Sequence, residues 1–342
     1  MSADTFQAKG MPPRIVFVIM SAVHSSKAVE ELARALAPHD VLIHHDFGQT
    51  PDFPIEAPNV TFVPKPMRTG WANWGFSEGI FHSLRHALQH LDFDYLQLLS
   101  PTCLPIKPLR AFETHVADSK IPAHFEAIDV AEDLDALMSV GYRAYTPRDS
   151  LRHRVLRRLS WSGYYGEGRH AVARPVAGVQ LMSRPKADAD IGPTVLARVA
   201  LAVMRAWRSP RIGRHIFDRQ HHPYFGSVWF GARRPVIAGL VEAFESREIQ
   251  AYFSKLWIAD EFVVPTLLKR VAARHGSSNH LVNTFIDANP AWFGADDFER
   301  LRTSPAFFAR KFRDDPGDPI RRRVLKELVA PKAIEPAVAS RA

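Results

Sequence analysis

Three Asp-x-Asp pairs have the spacing that can hold a divalent cation against a diphosphate, because carboxylate oxygens are ligands that hard cations prefer. They are Asp92/Asp94, Asp133/Asp135 and Asp188/Asp190. The first pair precedes an apolar run that predicts a strand, whereas ligands of open α/β sheets lie beyond the carboxyl ends of strands. The second follows a predicted strand but also suits a helix N-terminus, where acids are favoured. The third lies in a loop rich in Pro and Lys. We interpret all three pairs as structural.

A second candidate for metal chemistry is the run His44, His45 and Asp46. Adjacent residues of a strand point to opposite faces, so two neighbouring histidines do not readily share one ion. The glycines of residues 163–168 superficially suggest a phosphate-binding loop, but no predicted strand precedes them. A plain loop is the favoured interpretation there. The sequence therefore assigns no metal site.

The elements that must position these residues alternate between strands and helices. Short apolar runs rich in β-branched residues predict buried strands, and apolar residues spaced by three or four predict amphipathic helices. The predicted strands are residues 14–20, 40–45, 59–63, 94–99, 124–129 and, less regularly, 225–232. The predicted helices are residues 25–36, 76–91, 109–116, 235–246 and 260–273. This alternation predicts an α/β fold with a mostly parallel, doubly wound sheet flanked by helices.

Composition excludes several classes of protein. The 342 residues suffice for one large α/β domain or two modest ones. With 46% hydrophobic and 23% charged residues, the chain is not disordered, collagen-like or a coiled coil. The single cysteine, Cys103, excludes a disulfide framework and a cysteine-based zinc site. A formal charge of +8 favours anionic partners, namely nucleic acid, an acidic membrane surface or phosphorylated small molecules.

The chain divides by composition into a main domain and two ends. Residues 1–12 are polar and predict a disordered lead-in, residues 13–320 form the single domain, and residues 321–342 form a basic and disordered tail. Within the domain, residues 148–222 mix arginines with aromatics and predict a basic helical insertion. No stretch approaches the roughly 20 apolar residues that span a bilayer. We therefore expect neither a membrane span nor a signal peptide.

The basic insertion permits two interpretations. Arg152, Arg157 and Arg158 lie near an apolar stripe at helical spacing, as in a helix that lies on anionic lipid. The alternative is a helical hairpin that covers one edge of the sheet, with its arginines in solvent. The sequence leaves both interpretations open, and the expected location is the cytoplasm, with peripheral binding to the inner face of the cytoplasmic membrane under the first.

The strongest signal is a series of six motifs in order. One motif covers residues 74–107: WGFS at residues 74–77 opens a helix, and the strand at 94–99 is followed by LPIK at residues 104–107. The other five are the first strand with His24, Ile43-His44-His45-Asp46, FGSVWF at 225–230, Asp260-Glu261-Phe262 with Thr266-Leu267-Leu268, and FFARKF at 307–312. Together they resemble the core-2/I-branching β-1,6-N-acetylglucosaminyltransferase and peptide O-xylosyltransferase family over about residues 14–315.

The resemblance implies an inverting glycosyltransferase with a GT-A-type, Rossmann-like sheet that uses a UDP-sugar without a catalytic metal. Inversion needs a carboxylate that takes a proton from the attacking hydroxyl, and Glu261 matches the family's base. Taken alone, Asp260-Glu261 is equally an ordinary acidic helix start. Without a metal, fixed cations must stabilise the leaving diphosphate. Lys311 matches the family's diphosphate-binding lysine, with Arg310 interpreted as its solvated neighbour.

The resemblance also implies binding residues. On the donor side these are His24, Asp46, Trp74 and Lys311, and Asp46 matches an aspartate that holds the uridine. On the acceptor side they are Glu126, Thr102, Cys103, Ser227, Trp229 and Asp260. Core packing explains Trp74 and Trp229 nearly as well as stacking on a sugar or a base does.

Two departures from the family pattern affect these assignments. Ala288 stands where the branching enzymes have an arginine, so the second cation is missing or comes from Arg233, Arg234 or a basic residue within 205–219. SPTC at residues 100–103 replaces the family's Ser-Gly-x-Asp, which puts the acceptor specificity in doubt. We expect the cysteine of this loop to be a buried thiol rather than a nucleophile.

We therefore predict an enzyme that transfers N-acetylglucosamine in β-1,6 linkage from a UDP-sugar to a glycan or lipid-linked oligosaccharide. It needs no bound cofactor, is metal-independent and binds no nucleic acid. Xylosyl transfer from UDP-xylose is the alternative within the same family. A basic nucleic-acid-binding protein is the alternative from another class, which the arginine and aromatic residues of 148–222 favour and the lack of a recognised binding motif opposes.

Overall fold

The computed structural model describes residues 12–130, 172–176, 179–183, 222–256, 258–286 and 289–330. Within these ranges the strands are β1 (Ile15–Ser21), β2 (Asp40–His45), β3 (Val60–Phe62), β4 (Tyr95–Leu99), β5 (Leu104–Pro105), β6 (Ala123–His124), β7 (Ile128–Asp129), β8 (Val172–Val176), β9 (Val179–Ser183), β10 (Tyr224–Phe225), β11 (Gly231–Arg233), β12 (Leu281–Val282), β13 (Phe285–Ile286), β14 (Asn289–Pro290) and β15 (Phe308–Ala309). The helices are α1 (Ser26–Ala35), α2 (Trp74–His90), α3 (Leu109–Asp118), α4 (Arg234–Phe244), α5 (Arg247–Phe253), α6 (Asp260–Val271), α7 (Phe298–Thr303) and α8 (Pro319–Val324), with a 3₁₀ turn at Ala295–Asp297 and a π-helical turn at Leu325–Val329.

The central sheet of the described residues has six strands in the order β3-β2-β1-β4-β11-β6. Strands β3, β2, β1 and β4 pair in parallel, whereas β11 pairs antiparallel with both β4 and β6. The prediction of a mostly parallel sheet flanked by helices is confirmed. Because β1, β2 and β4 run in one direction, their carboxyl ends meet at one edge, which we call the carboxyl edge.

Strand β1 is buried on both faces and separates two helical layers. Phe17 packs against Phe112 of α3 and Phe308 of β15, with ring centroids 6.2 and 5.7 Å apart. On the opposite face α2 comes close to the sheet at Gly79, where a Cβ atom would lie 2.9 Å from His44 Nε2. A glycine is required at this position because a side chain would push α2 off the sheet.

The predicted helices, and the predicted strands that end before residue 100, agree with the structure to within two residues. The exceptions among the predicted elements are the strands at 124–129 and 225–232. The first is divided into β6 and β7, and the second into β10 and β11. The physical reason is that Gly226 N donates to the Glu261 carbonyl, 3.0 Å away, instead of to a strand partner. A Cβ atom at Gly226 would also lie only 2.1 Å from the Glu126 carbonyl oxygen.

The ends and the insertion differ in part from the prediction. Within 148–222 the structure describes residue 222 and the segments Val172–Val176 and Val179–Ser183. These two segments pair as antiparallel strands, whereas the sequence predicts helices. The remaining insertion, with Arg152, Arg157, Arg158 and the aromatic residues behind the nucleic-acid interpretation, lies outside the described residues, as do 1–11 and 331–342. The packed chain continues beyond 320, because the fully buried Arg321 bonds Glu31 at 2.7 Å. In the described ranges, no helix combines the length and the apolar character needed to cross a membrane.

Candidate functional site

Four segments converge at the carboxyl edge of the sheet. The loops after β1, β2 and β4 begin there, and the segment 310–314, which follows β15, crosses two of them. Ser25 N donates to Asp314 Oδ2 at 2.5 Å, and Phe312 N donates to the Thr102 carbonyl at 2.9 Å. The segment 310–314 is therefore tied both to the loop after β1 and to the loop after β4. These two contacts bring the motifs that contain His24, residues 100–103 and Lys311 together at this edge.

The N-terminus of α6 carries two carboxyl groups, those of Asp260 and Glu261, and their surroundings disfavour the ionised form. Burial, reinforced by the negative charge of Asp260, raises the pKa of Glu261 to about 8, and the positive charge of Arg310 opposes this rise. Burial also raises the pKa of Asp260, although hydrogen bonds from backbone N–H groups at the helix start act against it. A carboxyl group held against ionisation becomes a stronger base once it ionises, as general base catalysis requires.

The charge of Arg310 acts on Glu261, and the Nε atom of Arg310 is buried, whereas the sequence predicts a solvated side chain. Its guanidinium carbon is 5.4 Å from the ring centroid of Trp229, in cation–π geometry. Burial lowers the pKa of Arg310, while the charge of Glu261 acts to raise it. The sequence signal for this burial is the spacing of two between Phe308, Arg310 and Phe312, which places all three on one face of an extended segment. Phe308 and Phe312 are fully buried.

Three buried polar atoms at this edge have no hydrogen-bond partner within the described part of the chain. They are His24 Nδ1, Arg310 Nε and Asp314 Oδ1. Burial is the largest cause that lowers the pKa of His24, and the positive charges of Lys311 and Arg310 add to it, whereas Asp314 opposes them. Because buried polar atoms are nearly always paired, these atoms indicate a place where a polar ligand or water belongs.

Lys311 extends the positive charge of this edge toward solvent. Its ammonium nitrogen lies 4.2 Å from the ring centroid of Trp292, which is 41% exposed. Burial, followed by the charge of Arg310, lowers the pKa of Lys311. Two adjacent cations that repel each other are a favourable place for an anion, because the anion offsets the repulsion.

Asp46 acts mainly as a clamp between two loops. Its Oδ2 atom accepts from Gln49 Nε2 at 2.8 Å, Thr69 N at 2.6 Å and Thr69 Oγ1 at 3.1 Å, and Oδ1 accepts from Gly48 N at 3.0 Å. Burial acts to raise the pKa of Asp46, but these hydrogen bonds lower it overall. Only Oδ1 has an acceptor position left, and a contact with uridine stays a prediction.

The adjacent histidines of β2 point to opposite faces, as the sequence predicts. His44 Nε2 accepts from Met67 N at 3.0 Å on the α2 side of the sheet. His45 Nε2 donates to the Thr50 carbonyl at 2.8 Å, and its ring stacks on Phe53 at 3.7 Å. The two side chains therefore do not form one site.

Three of the residues expected to line the acceptor site are enclosed by the protein. The Thr102 hydroxyl lies 2.9 Å from the Ser100 hydroxyl, and Ser227 Oγ accepts from Asn279 Nδ2 at 3.1 Å. Cys103 is completely buried, and burial raises the pKa of its thiol to about 12. All three residues are buried, and their assignment to acceptor binding stays a prediction.

The remaining aromatic and acidic candidates have mixed positions. Trp74 stacks on Phe244, with ring centroids 5.3 Å apart, so core packing accounts for it. Trp229 is 7% exposed and lies under Arg310. Glu126 lies beside Gly226, and burial raises the pKa of its carboxyl group to about 7.

Arg233 and Arg234 cannot supply the second cation. Because β11 runs antiparallel to β4, Arg233 lies opposite Tyr95, at the amino end of β4. The Arg233 side chain donates to the carbonyls of Val116 and Ser119 at 2.8 and 2.6 Å. The Arg234 side chain donates to the carbonyls that end α2. Arg310 is the cation that the structure provides next to Lys311.

Asp92 and Asp94 are structural, as predicted. Both form ion pairs with Arg14 at the amino end of the sheet, and Arg14 N donates to Asp94 Oδ2 at 2.9 Å. The pairs Asp133/Asp135 and Asp188/Asp190, together with Ala288, lie outside the described residues.

Comparison with known proteins adds little. No protein-family model matches the chain, and no curated protein matches it. A solved structure of a protein assigned as a glucose-1-phosphate thymidylyltransferase from Bacillus anthracis, in complex with a sucrose, is 11% identical, with a TM-score of 0.27. The match covers 77% of this chain and 86% of that one. At that TM-score the likeness carries no argument, and the candidate function depends on the site itself.

Proposed function

We propose that this chain is an inverting glycosyltransferase that moves a sugar from a UDP-sugar to an acceptor hydroxyl. The observation that carries the proposal is the carboxyl edge: the charge of Arg310 acts on Glu261, and His24, Arg310 and Asp314 leave buried polar atoms there without a partner among the described residues. A site with a proton acceptor, fixed cations and unpaired polar groups matches what transfer from a diphosphate donor needs.

In the proposed reaction, Glu261 takes the proton of the acceptor hydroxyl while that oxygen attacks the anomeric carbon. The bond between the anomeric carbon and the diphosphate oxygen breaks, and its electron pair leaves with the diphosphate. The environment of Glu261 favours the protonated product of this step, because burial and Asp260 both raise its pKa. The neighbouring Arg310 keeps a fraction of the carboxyl groups ionised and able to act.

Arg310 and Lys311 supply the positive charge for the leaving diphosphate. Both have pKa values lowered by burial, so an anion placed between them gains from contact with partly desolvated cations. His24 Nδ1 offers a further polar contact beside them. In this proposal Arg310 takes the place of the arginine that the family has at the position of Ala288, and a metal is not needed.

The finer assignments remain proposals on the strength of the family resemblance. We propose N-acetylglucosamine as the donor sugar and a β-1,6 linkage to a glycan or lipid-linked oligosaccharide, with xylose as the alternative sugar. A cytoplasmic enzyme that binds the inner face of the membrane would meet such an acceptor directly.

A donor screen tests the proposed function. UDP release is measured from UDP-N-acetylglucosamine, UDP-xylose, UDP-glucose and UDP-galactose, with EDTA and with EDTA followed by excess Mn²⁺. We expect one donor to be preferred and its turnover to survive EDTA. Activity that EDTA abolishes and Mn²⁺ restores contradicts metal independence, and no release from any donor contradicts the proposed function.

A further inference from the structure

Three histidines from separate segments meet on the far side of the sheet from α2, away from the carboxyl edge. His115 lies on α3, His124 on β6, and His280 immediately before β12. One ring nitrogen of each lies within 4.8 Å of the others. The ring centroids are 5.4 Å apart for His115 and His124, 5.0 Å for His115 and His280, and 4.3 Å for His124 and His280. We call these residues the histidine cluster.

The surroundings keep the cluster in the form that binds metals. Burial lowers the pKa of His124 to about 4, and it also lowers the pKa values of His115 and His280. Each imidazole is further opposed in its charged form by another member or by a nearby cation. Asp118 attracts the proton of His115 but does not outweigh burial. Neutral imidazole is the metal ligand, so no proton has to be displaced at neutral pH.

Hydrogen bonding around the cluster is incomplete. His115 Nε2 is buried and lacks a partner within the described residues. The Tyr95 hydroxyl lies 3.1 Å from His124 Nδ1 and 3.3 Å from His280 Nε2. Because a phenol has one proton, Tyr95 can donate to only one of these nitrogens and accepts from the other. Burial raises the pKa of Tyr95, so its hydroxyl stays protonated and holds the two rings by hydrogen bonds.

We propose that His115, His124 and His280 form a site for one divalent transition metal that prefers imidazole ligands, with Zn²⁺ as the first candidate. Zinc–nitrogen bonds are about 2.0–2.1 Å, so the ligand nitrogens of a tetrahedral site are about 3.4 Å apart. The present separations of up to 4.8 Å must therefore shorten for a metal to bind. His115 is the least buried of the three, and a water would complete the tetrahedron as the fourth ligand.

The site braces the segment that carries the cations of the carboxyl edge. The His280 carbonyl accepts from Phe307 N and Phe308 N at 3.1 and 3.0 Å, and β15 leads directly to Arg310. The adjacent Asn279 bonds Ser227. A metal held by all three histidines therefore joins α3 and β6 to this segment. The proposal does not depend on the glycosyltransferase function, since no reaction step passes through the metal.

Metal binding is tested on the chelator-treated full chain, with Zn²⁺ titration by calorimetry and Co²⁺ absorption as the spectroscopic probe. His86 and His90 on α2 have ring centroids 4.4 Å apart and form a competing surface pair. The reference protein is therefore the double variant His86→Gln and His90→Gln. We expect it to bind one equivalent of Zn²⁺, to give the Co²⁺ bands of a tetrahedral site, and to unfold at a higher temperature with Zn²⁺ than with Mg²⁺.

The further substitution His115→Gln, chosen because this is the least buried of the three, should weaken Zn²⁺ binding at least about 100-fold, as loss of one of three ligands does. X-ray absorption at the zinc edge of the reference protein should show three imidazole ligands, and this measurement stands even if the His115 variant folds poorly. Failure of the reference protein to bind Zn²⁺ or Co²⁺, or equal binding by the folded His115 variant, would overturn the proposal and leave the cluster as packing.

Discussion

The arginines at the two ends of the sheet differ in their hydrogen-bond partners, and this difference distinguishes structural arginines from a candidate functional one. At the amino end, Arg14 pairs with Asp92 and Asp94, and Arg233 and Arg234 donate to main-chain carbonyls. At the carboxyl edge, Arg310 keeps a buried Nε atom without a partner among the described residues. Charge and residue type are the same in both places. What differs is whether the side-chain N–H groups of the arginine are paired with acceptors of the protein itself.

The carboxyl groups show the same contrast. Burial acts to raise the pKa of Asp94, but hydrogen bonds from Arg14 lower it overall, so this carboxyl group is stabilised in its charged form. At the carboxyl edge, burial raises the pKa of Glu261, and the neighbouring acid raises it further. Groups held away from their preferred charge state are typical of catalytic sites. If this contrast reflects function, substitutions at the two ends of the sheet should affect different properties of the protein.

The largest expected effect is on turnover. Replacing Glu261 by Gln keeps the shape of the side chain but removes the proton acceptor, so kcat should fall about 10²–10⁴-fold. UDP affinity should change little, because the amide leaves Arg310 and Lys311 in place. The measurement is UDP-sugar turnover together with UDP binding by calorimetry.

The matched control is Glu248→Gln, since Glu248 also lies in the first turn of a helix, α5, but is exposed. This variant should retain wild-type kcat. Near-normal turnover in the Glu261 variant would remove that residue from the mechanism.

The next effect separates binding from stability. Replacing Arg310 by Gln should weaken UDP binding about 10- to 100-fold, because a charge-assisted contact is worth about 1.5–3 kcal/mol. Replacing Arg234 by Gln should leave UDP binding unchanged but lower the thermal midpoint, since the carbonyls of Leu88 and Leu91 lose their donor. Calorimetric UDP titration gives the UDP affinity of each variant, and thermal unfolding gives the thermal midpoint of each. The reverse pattern would break the distinction between the two ends.

The pH dependence of activity should reveal the raised pKa of Glu261 and the influence of Asp260 on it. With the pKa of Glu261 raised to about 8, kcat/KM should increase as pH rises through that region, because the ionised base is the active form. Asp260→Asn removes a cause of the rise, so the profile should move to lower pH, by roughly one unit. Arg310→Gln should move it to higher pH. A profile that is flat from about pH 6 to 9, or an upward shift in the Asp260 variant, argues against Glu261 as base.

Much of the fold follows from local pattern. The apolar run of β1 and the helical spacing of α1 and α2 depend on neighbouring residues, so their bounds were predictable. The division of the predicted strand at 225–232 was not, because it depends on the bond from Gly226 N to the Glu261 carbonyl, a contact between distant parts of the sequence.

The sequence motifs nominate residues of the candidate site but not their arrangement. The motifs point to Glu261 and Lys311, whereas the sequence pattern predicts a solvated Arg310. Its burial depends on how residues 310–314 dock on the loops after β1 and β4. Arg233 was considered as a diphosphate ligand because the sequence does not reveal that β11 runs antiparallel. Strand direction decides which end of the sheet a residue occupies.

The smallest expected effect concerns Cys103, which stands in the loop where the family resemblance predicts an acid. Its thiol is fully buried, and burial raises its pKa to about 12, so the thiolate is scarce at neutral pH. An aromatic disulfide reagent should therefore find no reactive thiol in the native protein and one after denaturation. Cys103→Ala removes a single buried atom next to Arg310, so kcat and KM should both stay within about threefold of wild type. A loss of kcat comparable to that of the Glu261 variant, with the native structure retained, would place the thiol among the reacting groups and would show that burial at this edge does not separate packing residues from working ones.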